Sequence, residues 1–282
     1  MSLVPVKEIL KMASDANTSV IAFNCIDYNM IDSVVHAAEK VNKPVLCMLY
    51  PEHAELNNWC NPETFAAAVK SVAEEVSVPV GLHLDHCQDI NYIIRAIKAG
   101  FSCVMYDGSM LPLEENIANT KRVTEIAHAF NVAVEGELGH VGFAANRDDQ
   151  SNLDMYTKPE VAKKYVTESG ADALAVAIGS AHGVYKETPH LDIQRLREIN
   201  DTIDTPLVLH GGSGIPDDQL NEAFLHGINK FNVGTEFFHL YHDTMKQYTQ
   251  EHPDGGAIFD YARYAQEILM NYLVKKLELS KF

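Results

Sequence analysis

The chain has 282 residues, 46% of them apolar, and a formal net charge of −17. So acidic a surface argues against nucleic-acid binding through a general basic face, and the apolar share supplies a sizeable core and excludes broad disorder. No apolar run approaches the roughly 20 residues that span a bilayer, and the amphipathic start MSLVPVKEILKMASD is not a signal peptide, so a cytoplasmic protein with no membrane partner is expected.

Short apolar runs then alternate with amphipathic stretches along the chain. SVIAFN (19–24) precedes the helical pattern DSVVHAAEKVN, and PVLCML (44–49) precedes PETFAAAVKSVAEEV. PVGLHLD (79–85) leads to INYIIRAIKAG, SCVMYD (102–107) to ENIANTKRVTEIAHAF, and VAVEGEL (132–138) to KPEVAKKYVTESG. ALAVAIG (173–179) precedes DIQRLREIN, PLVLHG (206–211) precedes DDQLNEAFLHG, and KFNVGT (230–235) opens a helical tail over 236–282. Gly100, Gly170 and Gly227 close helices, and Asn61 and Thr157 stand where helices begin before Pro62 and Pro159. The length fits one large barrel or two small domains. Eight strands alternating with helices predict an α/β (β/α)8 TIM barrel of a single domain, 1–282, with extra C-terminal helices. A doubly wound sheet is the rival, weakened because no G-x-G-x-x-G follows the first strand. The tail is expected to pack over the barrel or against another subunit. Cys25, Cys47, Cys60, Cys87 and Cys103 form no CxxC pair and read as reduced, buried thiols.

A barrel of this kind carries its chemistry at the C-terminal strand ends, and there the polar residues gather. Strand three ends in His83, Asp85 and His86, strand four in Asp107, strand five in Glu135 and Glu137. Strand six runs into His182, strand seven into His210, strand eight into Asn232 and Thr235. Three histidines at the ends of parallel strands could converge on Zn²⁺ and leave a coordination position open; each alone reads as a surface or hydrogen-bonding residue, since the chain has 13. Period-two alternation turns Leu82 and Leu84 toward the helices and His83 and Asp85 into the barrel mouth, with His86 at the rim. Asp89 reads as a helix N-cap. HGGSG (210–214) and NVGT (232–235) offer backbone N–H groups and hydroxyls to an anion, at the loops where barrels often hold phosphate.

In order, LHLDH, MYDGS, EGELG, AVAIGSAHGVY, LVLHGGSGIPDDQ and KFNVGTE resemble the class II, metal-dependent ketose-bisphosphate aldolases, in particular their shorter branch. The resemblance covers nearly the whole chain and is strongest over 79–236. It implies Zn²⁺ held by His86, His182 and His210, and Asp85 as proton donor to the aldehyde oxygen. It also implies a substrate site of Asn24, Gly183, Gly211, Gly212, Ser213, Asn232, Val233, Gly234 and Thr235 holding the phosphate of dihydroxyacetone phosphate. Asp107 and Glu137 match an alternative metal position. A monovalent cation (Na⁺ or K⁺), a sugar phosphate substrate of the fructose- or tagatose-bisphosphate type, and a homodimer or homotetramer follow from the same resemblance.

The residues agree with a metal rather than a lysine imine: strand six offers no lysine, and Lys230 lies deep in strand eight, where a structural role fits. The chain departs from the family in the loop GHVGFAANRDDQSN, where Arg147 or Asn146 falls near the family's glutamate and Asp148 could replace it as base. Among the late residues 242–268, where the family uses arginines for a second phosphate, only Arg263 is present. Two rivals stand beside the aldolase reading: a non-catalytic aldolase-like binding or stabilising subunit, and a zinc hydrolase barrel, which would want an HxH pair on strand one.

Overall fold

Each expected apolar run forms a strand, and in the computed structural model, which describes residues 2–57, 60–139, 141, 156–255 and 260–282, the strands close into one parallel barrel in sequence order. The described elements are α1 (Val6–Asp15), β1 (Val20–Asn24), α2 (Tyr28–Val41), β2 (Val45–Leu49), α3 (Pro51–Asn57), α4 (Pro62–Ala73), β3 (Val80–Cys87), α5 (Ile90–Ala99), β4 (Cys103–Tyr106) and α6 (Leu113–His128). They continue with β5 (Ala133–Leu138), α7 (Pro159–Ser169), β6 (Ala173–Val176), α8 (Ile193–Asn200), β7 (Leu207–Leu209), α9 (Asp217–Leu225), β8 (Ile228–Val233), α10 (Thr235–Glu251) and α11 (Asp260–Glu278). The fold is the expected (β/α)8 barrel with an additional C-terminal helix. Among the described residues no helix is long and apolar enough to cross a membrane.

Alternation along the strands makes two separate cores. The outward residues, such as Leu82, Leu84, Val104, Val134 and Val176, pack with the helix faces. The inward ones, Val20, Ala22, Leu46, Met48, Cys103, Ala133, Ala173, Ala175 and Val208, fill the barrel with Val6, Ile9 and Leu10 of α1. Helix α1 thus closes the N-terminal end, and a Cβ on Gly81 would meet Leu46 and Val6 within 3.0 Å. Fully burying one such aliphatic side chain contributes about 1.5–3 kcal/mol. The small residues Ala133, Ala173 and Ala175 surround an interior that also admits Glu135 and Lys230, both fully buried.

Local signals behave as their chemistry requires. Asn61 accepts from Thr64 N at 2.9 Å and Asp89 from Asn91 N at 2.8 Å, so both are caps. Gly100 and Gly170 end α5 and α7 with φ of 105° and 72°. Thr157, expected to begin α7, does not cap it: its Oγ1 donates to Leu138 O at 2.5 Å and accepts from Ala177 N at 2.9 Å, tying β5 to β6. Strand eight, expected over 230–235, is Ile228–Val233, because Gly234 leaves the extended conformation and Thr235 begins α10. None of the five cysteines is in a disulfide, and Cys60 is only half-buried rather than buried.

The tail packs on its own barrel. Helix α11 buries Ala265, Leu269, Leu273 and Leu277 in the outer core beside α2, and Gln266 Nε2 donates to Asp32 at 2.6 Å. Tyr272 stacks on Phe237 of α10 with centroids 5.9 Å apart, and Lys276 pairs with Glu236 at 2.9 Å.

Candidate active site

The C-terminal ends of the strands surround a cavity of about 640 Å³. Asn24, Asp85, His86, Asp107, Glu137, His182, Gly183, Gly211, Gly212, Ser213, Asn232, Gly234 and Thr235 all line it. Val233 does not: alternation turns its side chain into the helix-facing core, while Asn232 faces the mouth.

Strand β3 sets the geometry. His83 and Asp85 point inward as alternation predicts and are 0% and 3% exposed. Strict alternation would send His86 outward, among the helices. Instead the β3–β4 register shifts between Leu84 and Cys87, and His86 takes φ +42°. This bulge returns the imidazole to the mouth. A side chain in that left-handed region costs roughly 1–2 kcal/mol, a strain that here serves the site.

Three imidazoles meet above the barrel. Ring centroids lie 4.9 Å apart for His86–His182, 4.6 Å for His86–His210 and 5.8 Å for His182–His210. One nitrogen of each ring faces an acceptor: His86 Nδ1 meets Asp107 Oδ2 at 2.9 Å, His210 Nε2 meets Glu135 Oε1 at 2.8 Å, and His182 Nδ1 meets Val141 O at 3.2 Å. These acceptors fix the tautomers and leave the opposite nitrogens as bases. Those bases converge, with His86 Nε2 and His210 Nδ1 only 2.9 Å apart. Nitrogens so directed need a proton or a cation between them, and the three ligand atoms lie within 4.8 Å of one another, a donor set that fits Zn²⁺. His86, Asp107 and Glu137 form a second group able to hold a metal; a third, His83, Asp85 and Glu135, already has Lys230 Nζ on Glu135 at 2.9 Å.

The electrostatics divide the groups. Burial pulls His86 down, yet the Asp85 charge, Asp107 and Glu137 outweigh it and raise it to about 10. Burial, then repulsion from His86 and His210, pushes His182 down to about 3. Burial and the Asp107 charge push Glu137 up to about 8. Asp85 is buried, which opposes ionisation, but His86, His210, Lys230 and His83 hold its carboxyl well below the usual range. Asn24 Nδ2 at 2.9 Å and Asn232 Nδ2 at 3.1 Å each donate to one of its oxygens, which also favours the carboxylate.

Opposite Asp85 lies the glycine-rich side. Gly211 has φ +65°, and a Cβ there would meet Ala181 O at 2.4 Å; on Gly212 it would strike the Phe231 ring at 1.8 Å. Only glycine fits, which leaves the backbone open to a ligand. Tyr185 clamps the loops together, donating to Gly211 O at 2.8 Å and accepting from Ala181 N at 2.6 Å. Ser213 Oγ accepts from Glu236 N at 3.1 Å, so this loop meets the first turn of α10, whose N-terminus favours an anion.

Several site residues escaped the sequence reading. Glu135 was noted as a strand end but given no role; it lies two residues before Glu137, so the same alternation turns it inward. Lys230 is buried and paired with Glu135, the structural role expected of it. Tyr50, His53, Ser109, Met110, Val141 and Phe238 also line the cavity. The strand-end rule would have pointed to Tyr50, directly after β2. Asn146, Arg147 and Asp148 lie outside the described residues.

The comparisons agree with this geometry. The family model "Fructose-bisphosphate aldolase class-II" matches residues 4–281. The D-tagatose-1,6-bisphosphate aldolase subunit GatY of Klebsiella oxytoca is 33% identical over 283 residues, covering 99% of this chain and 98% of that one. The YdjI aldolase of Escherichia coli K12 superposes with a TM-score of 0.86 at 29% identity, covering 99% of this chain and 97% of that one. A putative fructose-1,6-bisphosphate aldolase from Coccidioides immitis gives a TM-score of 0.84 at 25% identity over 98% and 95% of the two chains. The chain belongs to the class II fructose-bisphosphate aldolase family and is an aldehyde-lyase.

Proposed function

We propose that the barrel-mouth cavity is the active site of a zinc-dependent aldolase that reversibly cleaves a ketose (bis)phosphate to dihydroxyacetone phosphate and an aldehyde. One observation carries this reading: the basic nitrogens of His86, His182 and His210 converge beside a carboxylate, Asp85, that two amides hold in place. Those histidines would hold the metal, with Asp107 and Glu137 as an alternative position. A bound Zn²⁺ supplies a Lewis acid for the ketone and hydroxyl oxygens.

The protein's own groups do the rest. In cleavage the Asp85 carboxylate takes the proton of the C4 hydroxyl as the C3–C4 bond breaks; the electron pair stays on C3, which then takes up a proton. In synthesis Asp85 returns its proton to the aldehyde oxygen, the role expected of it. Asn24 and Asn232 keep the carboxylate oriented and ionised between turnovers. Gly183, Gly211, Gly212 and Ser213, with Asn232 to Thr235, would cradle the phosphate, and the carbonyls of these glycine loops would suit a monovalent cation. The Klebsiella relative, named for tagatose bisphosphate and as a subunit, supports a related sugar and an oligomer. We read the chain as one domain, 1–282, of a cytoplasmic homo-oligomer, in keeping with five cysteines that form no disulfide. A non-catalytic role is disfavoured because Asp85 and the three histidines are assembled together with their supporting acceptors.

Chelation should abolish cleavage of a ketose phosphate panel and zinc should restore it. Chelator-resistant turnover with substrate trapped by borohydride would replace this reading with a lysine imine.

A further inference from the structure

The walls of the cavity differ in chemistry. The glycine loops occupy the ends of β6, β7 and β8, and β2 stands across the closed barrel from β6. From the end of β2, Tyr50 and His53 enter the cavity with ring centroids 4.4 Å apart. His53 meets Phe238 edge-on at 5.1 Å, and Tyr50 meets His86 at 5.6 Å. Three aromatic rings therefore form a wall directly beside the metal-binding histidines. The charge around that wall is negative: Tyr50 Oη donates to Glu52 at 2.5 Å, and Asp107 lines the cavity beyond His86. Among the described residues that line it, none is Lys or Arg.

Resting on the aldolase reading above, we propose that the aldehyde partner is unphosphorylated, so that the cleavage substrate is a ketose 1-phosphate rather than a bisphosphate, with Tyr50, His53 and Phe238 as its specificity wall. A phosphate monoester carries close to two negative charges at neutral pH and needs cations or several donors to replace its water. The glycine loops offer such donors to one phosphate. At the other end a second phosphate would meet these rings and the Asp107 carboxylate, whereas the C–H surface of a neutral hydroxyaldehyde packs well on aromatic rings.

The test compares kcat/KM for dihydroxyacetone phosphate condensing with each enantiomer of glyceraldehyde and of glyceraldehyde 3-phosphate, using the zinc-loaded full chain. Solvent deuterium exchange into dihydroxyacetone phosphate alone is followed in parallel. The proposal expects the better glyceraldehyde enantiomer to be favoured by about tenfold or more over either phosphorylated one. It also expects His53→Arg, which adds a cation to the wall, to shrink or invert that preference. Exchange together with equal or better use of glyceraldehyde 3-phosphate, or with use of neither aldehyde, overturns the proposal and leaves the aldolase reading standing. Absence of exchange and of condensation overturns the aldolase reading, and this proposal with it. The wild-type comparison decides the matter even if His53→Arg fails to fold.

Discussion

His86 and Glu135 show how single residues carry this site. His86 reaches the mouth only through a bulge and a positive φ, so its neighbours must over-determine it: Asp107 holds Nδ1, and Ser109 Oγ, donating at 2.7 Å, holds Asp107. Glu135 serves two partners, His210 at 2.8 Å and Lys230 at 2.9 Å, and all three are fully buried. Glu135→Gln would leave Lys230 buried without its counter-charge, an expected cost of about 3–5 kcal/mol in urea unfolding. Adding Lys230→Met should recover part of that loss; an unchanged unfolding midpoint in the single variant would contradict the pairing. The same variant should weaken zinc binding by about 10–100-fold, because His210 loses its charged acceptor.

Asp172 is a surface counterpart with a pH signature. Burial opposes its ionisation, but Lys7 at 2.7 Å, His128 at 2.7 Å and Val134 N at 2.9 Å outweigh it and lower its carboxyl. A carboxyl lowered by folding contributes stability in full above its unfolded value of about 3.9, and loses it as pH falls through the folded value. Asp172→Asn should therefore melt below wild type at pH 7, and the gap should close as pH falls below 4. A gap that stays constant with pH would show that the carboxylate's charge is not what matters.

At the scale of elements, the caps and the tail make separable claims. Asp89 caps α5 directly after the end of β3 that carries His86, so Asp89→Ala should cost about 1 kcal/mol and leave metal content intact. Leu273 is fully buried on α11 against the outer core. Leu273→Ala should cost about 2–5 kcal/mol in unfolding, with turnover of the folded fraction unchanged, since α11 lies outside the cavity lining. The strand runs, the helices and Asp89 were legible because each rests on a local pattern. The β3 bulge was not, because alternation carries no sign of where a register will slip. Thr157 was misread for a related reason: its hydroxyl had long-range partners on β5 and β6 that outcompeted the local cap. Helix α3 is one short stretch, Pro51–Asn57, with too few turns to show a period.

At the scale of the molecule, barrel closure turns strand ends far apart in sequence into one site. His86, His182 and His210 span 124 residues, yet two of their nitrogens approach to 2.9 Å. The strand-end rule made this group and Asp85 legible, because it needs only the order of elements. It did not give roles to Glu135, Tyr50 or His53, whose importance comes from the groups that closure sets beside them. In the proposed mechanism this convergence holds the metal while Asp85 moves the proton. Zinc content by mass spectrometry tests it most directly, on purified wild type, His86→Ala and Asp85→Ala. About one zinc per chain is expected at a site of this type in wild type and Asp85→Ala, the latter inactive, and little in His86→Ala. Zinc retained in full by His86→Ala would contradict it.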